Sequence, residues 1–234
     1  MERQFELHLG KLRTRIIKMS SLVEEQLEFA IKAIDEENEE LAGIVKERED
    51  KVNKLDRKIE KTCQKIIALS QPVAMDLRLV ITALTISTNL ERVGDLAENI
   101  ARNNLVLKKK PDFLNDTRYS EMTKIVKEMI RDAIDSFNNY DADLAKKVIE
   151  YDNQLDDLFA ENREIVIRIM KEDPQKIDEA LGVLEICRHL ERIGDHTTNI
   201  AEDVYFIVEA QLIKHKYEKY IYSEIDDGEE EEEG

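Results

Sequence analysis

Residues 89–101 read "NLERVGDLAENIA" and residues 189–201 read "HLERIGDHTTNIA", nearly the same phrase twice at a spacing of 100. At about 100° per residue, Ile86, Leu90, Val93, Ala97 and Ile100 gather on one side, so the phrase lies on an α-helix with a core-facing stripe. Glu91 and Asp95 fall on the opposite side, following Leu77, Val80 and Leu84, and this lane turns from apolar to acidic along the helix. In the second copy Leu181 and Leu184 give way to Glu191, Asp195 and Glu202. Carboxylates at i and i+4 repel by a few tenths of a kcal/mol unless a cation intervenes. A glycine inside a helix costs about 1 kcal/mol relative to alanine. Both unfavourable choices recur, at Gly94 and Gly194, which implies that some group approaches the helix closely there.

The surrounding chain repeats as well. Ile16, Met19, Val23, Leu27, Ala30 and Ile34 keep helical period in the first segment, and Val52, Leu55, Ile59, Cys63 and Ile66 do so in the second. Pro72, Pro111 and Pro174 fall where helices change over. The spacing predicts helices over about 3–34, 40–69, 73–108, 116–138, 142–171 and 175–215. "ELAGIVKERED" matches "DLAKKVIEYD" best at a spacing of 103, whereas the glycine phrases match at 100. The expected fold is therefore all-α: two tandem repeated three-helix bundles, residues 1–110 and 111–220, followed by an acidic disordered tail over 221–234. The same pattern does not exclude fusion of the six helices into one elongated bundle.

Composition narrows the function. Seven glycines, three prolines and 37% charged residues suit helices rather than sheets. The net charge is −17, and the last twelve residues hold eight acids and no base, leaving about −9 on the body. A surface of that sign repels phosphate backbones, which argues against nucleic acid and favours cations or basic protein patches. Cys63 and Cys187 stand alone, without a CxxC pair, so neither disulfides nor a zinc finger is expected. With no apolar leader and no membrane-length apolar run, the reading is a cytoplasmic protein without membrane insertion.

A second acid set lies on the middle helix of each unit. Asp152 and Asp156 border the stripe of Leu155, Leu158, Phe159 and Val166, and in the first half Glu49 and Asn53 have the same spacing. Two helices that each offer carboxylates at i and i+4 can surround a hard cation with four to six oxygens. Asn99 and Asn199 continue the lane as further ligands or carboxylate orienters. Arg92 and Arg192 point about 100° away from the glutamates, toward a carboxylate on a neighbouring helix or an incoming anion. His196 points off the lane, and Tyr205, Phe206, Tyr217 and Tyr220 are expected to pack.

These residues carry a resemblance. Through "LERVGDLAENIA", "LERIGDHTTNIAEDVYF", "SQPVAMDLRLV", "DNQLDDLF" and "KEDPQKI", the chain resembles the PhoU family over about residues 5–220. That family comprises accessory and regulatory proteins of bacterial phosphate-specific transport. The resemblance implies tandem three-helix bundles, often homodimeric, without catalytic activity. It implies restraint of phosphate uptake and starvation signalling through contact with the ATPase subunit of the phosphate ABC transporter and with a sensor histidine kinase. It also implies metal at E(D)xxxD motifs, iron in multinuclear centres among the occupants. Here the pairs are Glu91 with Asp95 and Glu191 with Asp195, faced by Asp152 with Asp156 in the second half and by Glu49 with Asn53 in the first. The asparagine makes the two centres chemically unequal.

Two other readings compete. A ferritin-type iron enzyme or store needs Glu-x-x-His, yet none of His8, His189, His196 and His215 has a glutamate three residues before it. A metal-free helical adaptor would use the repeated acids as a face for basic partners. Oxygen ligands alone suit Mg, Ca, Mn and ferric iron alike.

Overall fold

The computed structural model describes residues 2–107 and 109–210. Six long helices form among them: α1 (Glu2–Asp35), α2 (Glu39–Ser70), α3 (Ala74–Leu107), α4 (Tyr119–Asn139), α5 (Ala142–Glu172) and α6 (Ile177–Glu209). No strand occurs among the described residues. Residues 211–220 and the acidic tail over 221–234 lie outside them, as do His215, Tyr217 and Tyr220.

Local chemistry sets the ends. Asn38 and Asp141 cap α2 and α5, accepting hydrogen bonds from the Glu40 amide at 3.0 Å and the Leu144 amide at 2.9 Å. The fourth helix starts three residues later than the periodicity predicts, because Leu114–Asp116 forms a separate 3-10 turn closed by the Thr117 hydroxyl on the Leu114 carbonyl. The sixth starts two residues later for the same kind of reason. Pro174–Lys176 makes a 3-10 turn capped by Asp173, which leads into α6. Replacing Asp141 with alanine should cost about 1 kcal/mol, the usual worth of an N-cap, read as a lowered urea midpoint at unchanged slope.

In the first bundle α1, α2 and α3 pack on one another; in the second, α4, α5 and α6 do. The predicted stripes are the core: Ile16, Met19, Val23, Ile86, Leu90, Val93, Ala97 and Ile100 are all buried. The bundles do not stand apart. α3 lies along α6 as extensively as helices do within a bundle, and one apolar core runs through both halves. Asn89 meets His196 and Asn199, Thr85 bonds Asp203 at 2.6 Å, and Leu107 lies against Gly182. These pairs make the two helices antiparallel and place Gly94 level with Gly194.

The repeat carries two registers. Asn38 and Asp141, and the left-handed residues Glu37 and Tyr140, correspond at a spacing of 103, whereas α3 and α6 correspond at 100. The three extra residues sit at the α2–α3 corner. There Gln71 and Ala74 adopt φ of 45° and 48°, each costing on the order of 1 kcal/mol for a side-chain-bearing residue. Leu69, Val73 and Met75 are exposed at this corner. The matching turn in the second half, Asp173 to Lys176, is polar and keeps φ negative.

Candidate functional site

On each half, the third helix presents its acidic lane beside the middle helix. Glu91 and Asp95 are half-buried on α3, as are Glu191 and Asp195 on α6. Glu49 of α2 and Asp152 of α5 are each only 5% exposed, which places a carboxylate inside each bundle at the same relative position. Asp156 is exposed at the rim.

Gly94 makes room for the first of these acids, and Gly194 makes room for an apolar side chain instead. A Cβ on Gly94 would lie 2.7 Å from Glu49 Oε2 and 3.1 Å from Gln26 Oε1. A Cβ on Gly194 would lie 2.3 Å from Leu155 Cδ2, with Met129 next nearest. The close approach read from the sequence is therefore made by the bundle's own side chains, polar in the first half and apolar in the second. Val52 and Leu155 correspond at a spacing of 103, as do Gln26 and Met129, and Glu49 and Asp152.

Glu49 is held from two sides. Gln26 Nε2 donates to its Oε2 and Asn53 Nδ2 donates to its Oε1, both at 2.8 Å. Asn53 thus orients the carboxylate. Burial raises the Glu49 carboxyl to about 7; the amide of Gln26 opposes the rise, and the charges of Asp95, Glu98 and Glu91 add to it. Glu91 is raised as well, first by burial and then by Asp95, with Arg92 pulling it back. In the second half the Thr198 hydroxyl donates to Asp152 Oδ1 at 3.2 Å. Ser87 donates to Asp56 Oδ1 at 2.7 Å, tying α3 to α2 below the groove.

Two side chains, Arg92 and Asn199, behave differently from expectation. Arg92 reaches back along its own helix, 3.1 Å from Asp95 and 3.5 Å from Glu91, so it partly neutralises the acidic pair. Its angular offset from Glu91 is bridged by its length, and Asp95 lies three residues on, on a neighbouring face. Asn199 turns to Asn89 of α3 at 3.4 Å. Asn99 stays half-buried on the lane, and Arg192 is exposed near His189 and His196. Gln26 and Glu98 were missed, as were Thr198 and Asn89. Gln26 is a fully buried amide standing beside Leu27 in an apolar stripe, and Glu98 is bonded to Arg102 at 2.8 Å. The signal for Gln26 was its spacing of 103 from Met129.

Chemically the grooves offer hard oxygens: carboxylates, amides and one hydroxyl. Among the described residues, no three His, Cys, Asp or Glu side chains converge closely enough to enclose an ion as they stand. The half-buried Glu91 and Asp95 lie near enough to Glu49 for their charges to repel it, and Gln26 Oε1 is buried without a partner. A hard cation fits that donor set.

The PhoU domain family matches residues 16–103 and again residues 119–204, so each match ends just beyond an acidic lane and the two together span most of the chain. The chain belongs to the PhoU family. A Pseudomonas putida phosphate-specific transport system accessory protein PhoU homolog is 36% identical over 96% of this chain and 88% of that protein. The Aquifex aeolicus homolog is 38% identical over 90% of this chain and 96% of its own length. The crystal structure of PhoU from Pseudomonas aeruginosa superposes with a TM-score of 0.82 at 34% identity, covering 88% of this chain and all of that one. The phosphate transport system regulatory protein PhoU from Streptococcus pneumoniae gives 0.81 at 28% identity, over 90% and 99%. The tandem three-helix bundles are thus the PhoU fold. Among the described residues no helix is long and apolar enough to cross a membrane.

Proposed function

We propose that this protein is a cytoplasmic, non-enzymatic, metal-binding regulator of phosphate uptake and phosphate-starvation signalling. It acts as a homodimer by contact with the ATPase subunit of the phosphate ABC transporter and with the sensor histidine kinase of the phosphate regulon. Relatives that match nearly end to end are named as accessory proteins of phosphate-specific transport, which supports the transport half of this reading. The observation that carries the metal half is the pair of buried α2 and α5 carboxylates, Glu49 and Asp152, each beside a half-buried ExxxD lane.

Burial makes the Glu49 carboxylate costly to ionise while Glu91, Asp95 and Glu98 repel it. A hard cation, iron foremost with Mg, Mn or Ca also suited, would offset that repulsion and draw α2 and α3 together. The residues that would hold it are Glu49, Glu91 and Asp95, oriented by Asn53 with Asn99 beside them, and Asp152, Asp156, Glu191 and Asp195, with Asn199 on the rim. Arg92 and Arg192 stand exposed at the edges as contacts for an anion or for acids of a partner.

Chelator treatment followed by melting and by pulldown with the transporter ATPase, at high and low phosphate, tests this. Metal removal should lower the melting temperature and reduce ATPase capture at least about tenfold, since a ligand that binds only the native state stabilises it by mass action. Unchanged melting and unchanged capture would retire the metal half, leaving a metal-free adaptor. Oxygen consumption by iron-loaded protein, expected to be nil, separates this reading from a ferritin-type enzyme.

A further inference from the structure

The first acidic groove contains a residue from the helix that lines it least. Gln26 comes from α1, is 0% exposed, and lies beside Glu49 against the bare Cα of Gly94. Its Nε2 grips Glu49 Oε2 at 2.8 Å and lies 3.5 Å from the Val45 carbonyl, while its Oε1 is buried with no hydrogen-bond partner. A buried amide oxygen left unmatched costs roughly 1–3 kcal/mol, so packing alone does not favour glutamine here. The second repeat shows the fold's own alternative, because Met129 occupies the matching place against Gly194.

We propose that Gln26 is a positioning residue, aiming the Glu49 carboxylate into the groove of the first repeat so that this repeat's metal centre, unlike the second, depends on α1. The proposal rests on the metal reading above. Amides that hold a ligating carboxylate typically change affinity 10- to 100-fold when removed. Without Gln26, only Asn53, on the same helix as Glu49, holds that carboxylate. The second repeat sets its buried acid differently, through Thr198 of α6. Its four carboxylates, against three in the first repeat, make it the tighter of the two for a hard ion.

The test is a titration of the full-length, chelator-stripped protein with manganous ion alone, followed by electron paramagnetic resonance and calorimetry. Wild type should show a tighter and a weaker class of site. Gln26→Met, which imports the residue of the second repeat, should raise the weaker dissociation constant about 10- to 100-fold. It should leave the tighter class and the apo melting temperature intact. In a Glu49→Gln background, Gln26→Met should do nothing further, because its action passes through Glu49; a purely structural residue would not obey that cycle. Two classes of site with both constants unmoved by Gln26→Met would overturn the proposal while leaving metal binding standing. No manganese bound by wild type at any site would overturn both. Should Gln26→Met melt early, Gln26→Leu in its place must reproduce the selective loss, and an equal loss at both sites would count against positioning.

Discussion

Glu49→Gln should stabilise the metal-free protein by about 2 kcal/mol at pH 8 and leave its stability at pH 4.5 nearly unchanged. The Glu49 carboxyl titrates near 4.5 in an unfolded chain and is raised to about 7 in the fold, with burial the main cause and Asp95, Glu98 and Glu91 contributing. A raised acid means that the native state holds more protons than the unfolded state between those values, so stability falls as pH climbs through that window. Each unit of difference is worth about 1.4 kcal/mol, and solvent in the open groove lowers the full figure to about 2. Glutamine abolishes the charge and keeps one oxygen for Asn53, while with the Gln26 amide turned over its new N–H donates to Gln26 Oε1 in place of the Gln26 N–H bond it gives up. Thermal melts in chelator should show the wild type losing about 4–8 °C relative to the variant between pH 5 and pH 8. Parallel curves for the two proteins would refute it. The same substitution should weaken, without abolishing, manganese binding in the first repeat, separating what the residue costs the fold from what it does for the site.

Much of this was legible in the chain. Helical period, three prolines and a doubled phrase were enough for six helices in two bundles, because amphipathic stripes and turn chemistry are local. The two spacings, 100 and 103, signalled an offset of three residues without its place, since Leu55–Asp56 also pairs with Leu155–Asp156 at 100; the structure puts it at the α2–α3 corner, as a left-handed, apolar knuckle without a counterpart. The acids were legible as residues but not as an arrangement. Glu49 and Asp152 looked like rim positions; packing against the bare Cα of Gly94 seats Glu49 inside, and the Thr198 hydroxyl of α6 meets Asp152 there. Gln26 was hidden because its partner comes from another helix and its neighbours are core residues. Asn89 was equally silent: its bonds to His196 and Asn199 depend on how α3 crosses to α6, and periodicity along one helix carries nothing about that. Arg92 shows the opposite limit, where angular bookkeeping of Cα positions misjudged a side chain long enough to fold back onto Asp95.

Gly194→Val should cost about 3 kcal/mol, the upper end of what overpacking a well-filled core does. Any Cβ there lies 2.3 Å from Leu155 Cδ2, and Leu155 is fully buried with Met129 behind it, so neither can yield into solvent. The better helix propensity of valine returns only a few tenths of a kcal/mol. A fall in melting temperature of about 6–12 °C follows. Leu155→Ala alone should cost about 2–5 kcal/mol through the cavity it leaves. If the clash is the cause, the two changes must couple: the double variant should be more stable than the separate effects predict by at least about 1 kcal/mol, since the valine occupies the space the leucine vacated. Strict additivity in urea unfolding would show that Gly194 is needed for some reason other than Leu155. The same substitution at Gly94 meets a carboxylate and an amide instead of a methyl group, so Gly94→Val should displace Glu49 from its clamp and weaken manganese binding in the first repeat. One glycine phrase written twice therefore serves two ends, core packing beneath α6 and the seating of a buried acid beneath α3, and the pair of valine variants tells them apart.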